Sequence, residues 1–248
     1  MKIRKKTRGA PGYDIAGRAH FLALSEADPG IKTRKEWSIK HMRLITVSRE
    51  FGSGGRELGK RLADALGFAY YDREIITAIA QSSQFHEGYV ESVLEKGTFP
   101  VIPLTFGRTL SYPGLFQQNA TTLLAAQERV IEELAARGED CVIVGRGADV
   151  ILRAYQPFNL FIYGDAASKL RRCREREEAG ENLTDRELLR RIQQVDAGRA
   201  RYRQLLTGGK WGQRENYHLC LNTTGLDLKE LAPLVAQYAQ WWFGREGQ

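Results

Sequence analysis

The residues best suited to chemistry stand together in the run Leu44-Ile45-Thr46-Val47-Ser48-Arg49-Glu50-Phe51-Gly52-Ser53-Gly54-Gly55-Arg56-Glu57-Leu58. Leu44 to Val47 read as a short buried strand, a glycine-rich turn follows, and residues 57–66 place apolar side chains at helical spacing. Strand, glycine turn and helix in that order make a phosphate cradle. The glycines allow positive φ and close approach of a polyanion, and the first N–H groups of the helix have no intrahelical acceptor. Gly52, Ser53, Gly54, Gly55 and Arg56 are therefore the candidate phosphate-binding residues. The common loop G-x-x-x-x-G-K-[ST] supplies a lysine and a metal-binding hydroxyl. Counted back from Gly55, this chain has Glu50, Arg56 and Glu57 at the places of the first glycine, the lysine and the hydroxyl. Arg56 restores the charge in a planar fork, whereas Glu57 brings a carboxylate; Ser48 and Ser53 are the nearest hydroxyls. The competing reading is a glycine-rich turn with no ligand.

Three further groups suit anion chemistry. Arg146 stands between Gly145 and Gly147, directly after the apolar run Cys141-Val142-Ile143-Val144. Such a run marks a central parallel strand, so Arg146 would hold phosphate at its carboxyl end. Asp72 and Arg73 follow Phe68-Ala69-Tyr70-Tyr71, a second short strand, and would face the same crevice; Asp72 also suits the N-cap of a helix over 73–83. Thr184 and Glu187 form a capping box, which opens a helix carrying Arg190, Arg191, Asp196, Arg199, Arg201 and Arg203. Asp196, Arg199 and Arg203 are spaced i, i+3 and i, i+4, so they share a face. One acid among several arginines leaves net positive charge, which an anion would complete.

The elements that position these residues are short strands alternating with helices. A helix over 115–137, a strand over 160–163, a helix from 166 to about 178, a strand over 218–221 and a helix over 227–243 follow from periodicity and breakers. The pattern predicts a three-layer α/β domain over about 42–243, with about five parallel strands and helices on both faces. Residues 84–114, rich in Gly and Pro and holding Arg108, read as an irregular substrate-side insert. Residues 184–210 read as a lid helix region. Trp241-Trp242-Phe243 suits the core or a dimer contact, and the oligomeric state stays open.

Composition narrows the class. At 248 residues, 42% hydrophobic and 27% charged, the chain is that of a soluble globular protein. No apolar run approaches the ~18 residues of a membrane span. Residues 1–41 hold ten Lys/Arg against four acids and carry +6 of the net +7. They show no sustained periodicity and read as a basic, mostly disordered arm, with Met42 as an alternative start. The body is near neutral, so a nucleic-acid-binding face is not expected on it. Three cysteines without metal spacing suggest reduced thiols and a cytoplasmic setting. Four scattered histidines make no ligand cluster, and no metal site built from protein alone is expected.

Residues 45–57, Tyr70-Tyr71-Asp72, Val144-Gly145-Arg146-Gly147, Asp196-Ala197-Gly198-Arg199-Ala200-Arg201-Tyr202 and Asn216-Tyr217-His218-Leu219-Cys220-Leu221-Asn222-Thr223 occur in an order that resembles the cytidylate kinase-like family, over about residues 42–240. The resemblance implies a P-loop nucleoside-monophosphate kinase that transfers the ATP γ-phosphoryl group to CMP or dCMP with Mg²⁺. It implies that Gly52 to Arg56 wrap the ATP phosphates, that Arg146 holds the acceptor phosphate, and that Asp196 and Arg199 act from the substrate and lid side. Arg201 or Arg203 would clamp the transferring group. The family's well-characterised kinases carry the loop lysine and acidic residues on either side of the Gly-Arg pair, where this chain has Val144 and Gly147. A second reading is a catalytically weak or inactive nucleotide-binding sensor; a third gives the basic arm a nucleic-acid partner.

Overall fold

The computed structural model describes residues 42–96, 113–176 and 183–245. The arm over 1–41 and the segment 97–112, with Arg108, lie outside the described residues. Five strands, β1 (Leu44–Arg49), β2 (Ala69–Tyr71), β3 (Cys141–Val144), β4 (Phe158–Tyr163) and β5 (Leu219–Asn222), form one sheet in the order β2-β3-β1-β4-β5. Every pairing is parallel. Ile45 stands opposite both Val142 and Phe158, so β1 is the centre of the sheet.

The eight helices assigned among the described residues are α1 (Gly55–Leu66), α2 (Arg73–Ser83), α3 (Glu87–Lys96), α4 (Pro113–Ala135), α5 (Ala148–Ile151), α6 (Ala166–Arg174), α7 (Asp185–Thr207) and α8 (Leu228–Arg245). Alternation along β1 divides the core. Ile45 and Val47 pack with Leu58 and Leu62 of α1 and with Val235 and Ala239 of α8. Leu44 packs on the other face with Ile75 and Ile79 of α2 and Leu123 and Ile131 of α4. A sheet covered on both faces is why its strands read as near-continuous apolar runs. Trp242 belongs to this core, 5.0 Å from the Phe158 ring, whereas Trp241 is 56% exposed beneath Arg245.

One segment and one cap differ from the sequence expectation. The segment 84–114 is not irregular throughout, because residues 87–96 form α3. His86 opens it by accepting the Gly88 N–H on Nδ1 at 3.2 Å, and its carbonyl accepts from Tyr89 and Val90. Gly88 lies in the first turn, where the His86 ring takes its N–H in place of a helical carbonyl. Val90 is fully buried and anchors the helix in the core. Asp72 precedes α2 but makes no side-chain cap hydrogen bond; its carboxylate is committed to arginines instead. The Thr184–Glu187 capping box is formed in both directions.

Candidate active site

The glycine turn joins β1 to α1. Gly52 and Gly54 have φ of +76° and +83°, values that L side chains avoid. What lies against these glycines is protein. A Cβ at Gly52 would meet Lys169 and Cys173 of α6, one at Gly54 would meet Leu228, and one at Gly55 would meet Arg49 and Ile162. The glycines are thus required by packing against neighbouring elements of the protein. Ser53 is fully buried; its hydroxyl donates to the Glu50 carbonyl at 2.8 Å. Its carbonyl accepts from Thr223 Oγ1 at 2.8 Å and from Arg172. Arg172 also donates to the carbonyls of Thr223 and Leu226, and so ties the turn to the end of β5; burial pulls its pKa down.

Arg56, in the first turn of α1, lies with Nε 2.5 Å from Asp72 Oδ2, and its side chain is 48% exposed. Asp72 is 3% exposed and also faces Arg49 Nη2 at 3.8 Å. Arg49 ends β1, is buried, and spreads its guanidinium across Gly145; a Cβ there would fall 1.7 Å from Nη1. Asp72 therefore links the arginine of the turn to an arginine of the neighbouring cleft. The Tyr70 hydroxyl, with one hydrogen to donate, lies 3.3 Å from the Arg56 carbonyl and 3.5 Å from Asp72 Oδ2. Burial, with Asp72 beside it, pushes its phenol above the ordinary tyrosine range. Glu57, which takes the place of the loop hydroxyl, is paired with Arg61 and Arg176.

The cleft itself opens at the carboxyl ends of β1 and β3 and is walled by α7. Arg49, Arg146, Arg199 and Arg203 line it with Tyr202 and Trp211. Gly145, Arg146 and Gly147 all have positive φ, at +77°, +59° and +65°. A non-glycine residue so placed is strained, and it is held by Gln127, whose Nε2 donates to the Arg146 carbonyl at 2.8 Å and to the Tyr202 hydroxyl. Gly147 is needed because Leu206 and Tyr202 of α7 pack onto it. Arg203 is buried in an ion pair with Asp149. Arg201 is exposed on the opposite side of the helix.

Asp196, Arg199 and Arg203 do share the face of α7 turned to the sheet. Asp196 Oδ1 accepts the Phe51 N–H at 2.7 Å, and Arg199 Nη1 donates to the Arg49 carbonyl at 2.9 Å. Burial raises the Asp196 pKa, against the lowering effect of the Phe51 N–H, Arg199 and Lys169. The structure therefore brings Arg146, Arg199 and Arg203 into one cleft and sets Asp196 and the turn against its edge. Arg56 and Asp72 are joined to it through Arg49. Arg73 is exposed on α2 and is not among the residues that line the cleft.

Arg49, Asp149 and Trp211 were not singled out from sequence. Arg49 carried the same signal as Arg146, an arginine at the carboxyl end of a buried strand. Asp149 lies three residues beyond Arg146, and Trp211 just past the Gly208-Gly209 break; neither position has a spacing that points to the cleft.

A model of the cytidylate kinase-like family matches residues 44–225, well over half of the chain. The chain belongs to this family. No curated protein matches. An uncharacterized protein from Eubacterium ventriosum ATCC 27560 has a similar structure, with a TM-score of 0.58, 24% identity, and coverage of 80% of this chain and 98% of that one. Shikimate kinase from Bacteroides thetaiotaomicron is also similar, with a TM-score of 0.50, 18% identity, and coverage of 82% and 99%. At such identities the likeness shows the fold, which is that of the P-loop kinases. This cytidylate kinase-like protein departs from the common loop at its lysine and its hydroxyl. Phosphates still fit the turn, because the first-turn N–H groups of α1 have no intrahelical acceptor. Among the described residues no group of three or more His, Cys, Asp or Glu is placed to hold a metal ion.

Proposed function

We propose that the protein is a phosphotransferase that moves the γ-phosphoryl group of ATP to CMP, dCMP or a related nucleoside monophosphate. The observation that carries this reading is the meeting of Arg49, Arg146, Arg199 and Arg203 in one cleft beside the glycine turn. In this reading the amides of Gly52 to Gly55, with Arg56, hold the ATP phosphates. Arg146 holds the acceptor phosphate, Arg199 and Arg203 face the group in transfer, and Asp72 and Asp196 fix the positions of the arginines. Arg73 serves the substrate at the rim. Positioning and charge neutralisation are nearly all that a protein supplies to this reaction. Mg²⁺, carried by the nucleotide, would supply charge neutralisation at the phosphate oxygens. Residues 42–243 form the kinase-like domain, with 84–114 on the substrate side and 184–210 as the lid helix region. Nucleotide substrates and a cytoplasmic location follow from the same reading.

Incubation of the purified protein with ATP, Mg²⁺ and each common monophosphate in turn should yield a diphosphate, most rapidly with a pyrimidine acceptor. No diphosphate above the protein-free control with any acceptor would defeat the proposal. A sensor that binds nucleotide without turnover is the second reading. It is favoured by the commitment of Arg56 to Asp72 and of the Ser53 hydroxyl to the Glu50 carbonyl, and it predicts saturable ATP binding with no product.

A further inference from the structure

The glycine turn has no lysine of its own, but an ammonium reaches it from another element. Lys169, in the first turns of α6, places Nζ 2.9 Å from Glu50 Oε2 and 3.6 Å from Asp196 Oδ2, with its side chain 13% exposed. Its carbonyl and Cβ lie directly against Gly52. Glu50 itself is held by the Gly164 N–H at 3.3 Å. Asp196 accepts the Phe51 N–H on Oδ1, and Arg199 Nη1 is 3.5 Å from the same oxygen.

One carboxylate thus collects a backbone N–H of the turn, an ammonium and a guanidinium. That is the donor set by which a phosphate oxyanion is bound, and the Asp196 carboxylate marks where an anion is accepted at the entrance of the turn. Burial opposes the Asp196 charge, while the Phe51 N–H, Arg199 and Lys169 favour it; a phosphate would offer the same three donors more acceptor oxygens. Resting on the kinase reading above, we infer that Lys169 supplies the ammonium missing from the turn's own sequence and contacts the ATP phosphates when they replace the Asp196 carboxylate. Arg56, at the usual place of the lysine, then adds its charge to the turn from the Asp72 side.

A bridge that merely ties α6 to the turn would use the same contacts, and the two roles separate by rescue. Calorimetric titration with Mg²⁺-ATP, with a thermal melt for each protein, compares wild type, Lys169→Met, Lys169→Arg and the double variant Lys169→Met/Arg56→Lys. Loss of a charge-assisted phosphate contact should weaken ATP binding roughly 10- to 100-fold in Lys169→Met, measured at a temperature where its melt shows the variant folded. Lys169→Arg should retain part of the affinity. Placing a lysine at position 56 should recover most of it in the double variant, because the ammonium then comes from the turn itself. Wild-type affinity in Lys169→Met overturns the inference, as does a loss that only follows unfolding or a double variant no tighter than Lys169→Met. Absence of ATP binding by the wild type would defeat the kinase reading as well; intact binding in both wild type and Lys169→Met defeats this inference alone.

Discussion

Two glycine turns stand side by side at the carboxyl ends of adjacent strands, and they are built for different work. The first, Gly52 to Gly55, leads from β1 into the twelve residues of α1; its serine is buried and its arginine lies outward on Asp72. The second, Gly145 to Gly147, leads from β3 into the four residues of α5; its arginine is buried and lines the cleft. A long helix offers a row of first-turn amides and a partial positive charge at its start, so in the proposed reading the first turn acts through its backbone. A helix of one turn offers little of either, and in that reading the second turn acts through a side chain. Gln127 holds the Arg146 backbone at a φ of +59°.

The largest test of this contrast compares the two arginines. Arg146→Ala should lower kcat/KM for the monophosphate reaction by about 10²- to 10³-fold, the usual cost of a lost charge-stabilising group, whereas Arg56→Ala should cost about tenfold or less. Equal losses in steady-state kinetics would erase the distinction between the turns.

A smaller effect separates strain from aim. Gly145→Ala and Gly67→Ala both place a side chain at a φ near +70°, which costs roughly 1–2 kcal/mol. Space around Gly67 is open, but a Cβ at Gly145 displaces the Arg49 guanidinium. Urea melts should show similar destabilisation in both variants, with kcat/KM lowered only in Gly145→Ala. Activity lost equally in both would deny Arg49 a place in the cleft.

The smallest effect concerns the edge of the sheet remote from both turns. His218 Nδ1 accepts the Asn159 N–H at 2.9 Å, which requires neutral imidazole. Burial, with Arg245 nearby, lowers its pKa below the ordinary 6.5. The unfolded chain therefore takes up the proton first, and stability should fall as pH drops below about 6.5, until the depressed native value is passed. The ring is partly exposed, so the change is small; a His218→Asn variant should show a flatter dependence of melting temperature between pH 7.5 and 5.5. An unchanged slope would show that the histidine is not the group titrating.

The fold was legible because burial writes itself into sequence. Cys141 to Val144 reports a central strand covered on two faces, Leu44 to Val47 a short buried strand, and Thr184 with Glu187 a helix start through chemistry confined to four residues. Asp196, Arg199 and Arg203 were legible as one face of α7 for the same local reason. What could not be read was long-range pairing. Asp72 had a helix-cap position but serves Arg56 and Arg49, and Lys169 meets Glu50 across 119 residues. Helix α3 was hidden because Gly88 looked like a breaker, while the histidine before it supplies the cap.

The central claim is that the arginine cleft reads a phosphate. Calorimetric titration of wild type and Arg146→Ala with CMP and with cytidine tests it without requiring turnover. The wild type should bind CMP about 100-fold or more tightly than cytidine, as expected for charge-assisted contacts to a buried guanidinium, and most of that preference should vanish in Arg146→Ala. A preference for CMP that survives intact in Arg146→Ala would place the phosphate elsewhere and contradict the account.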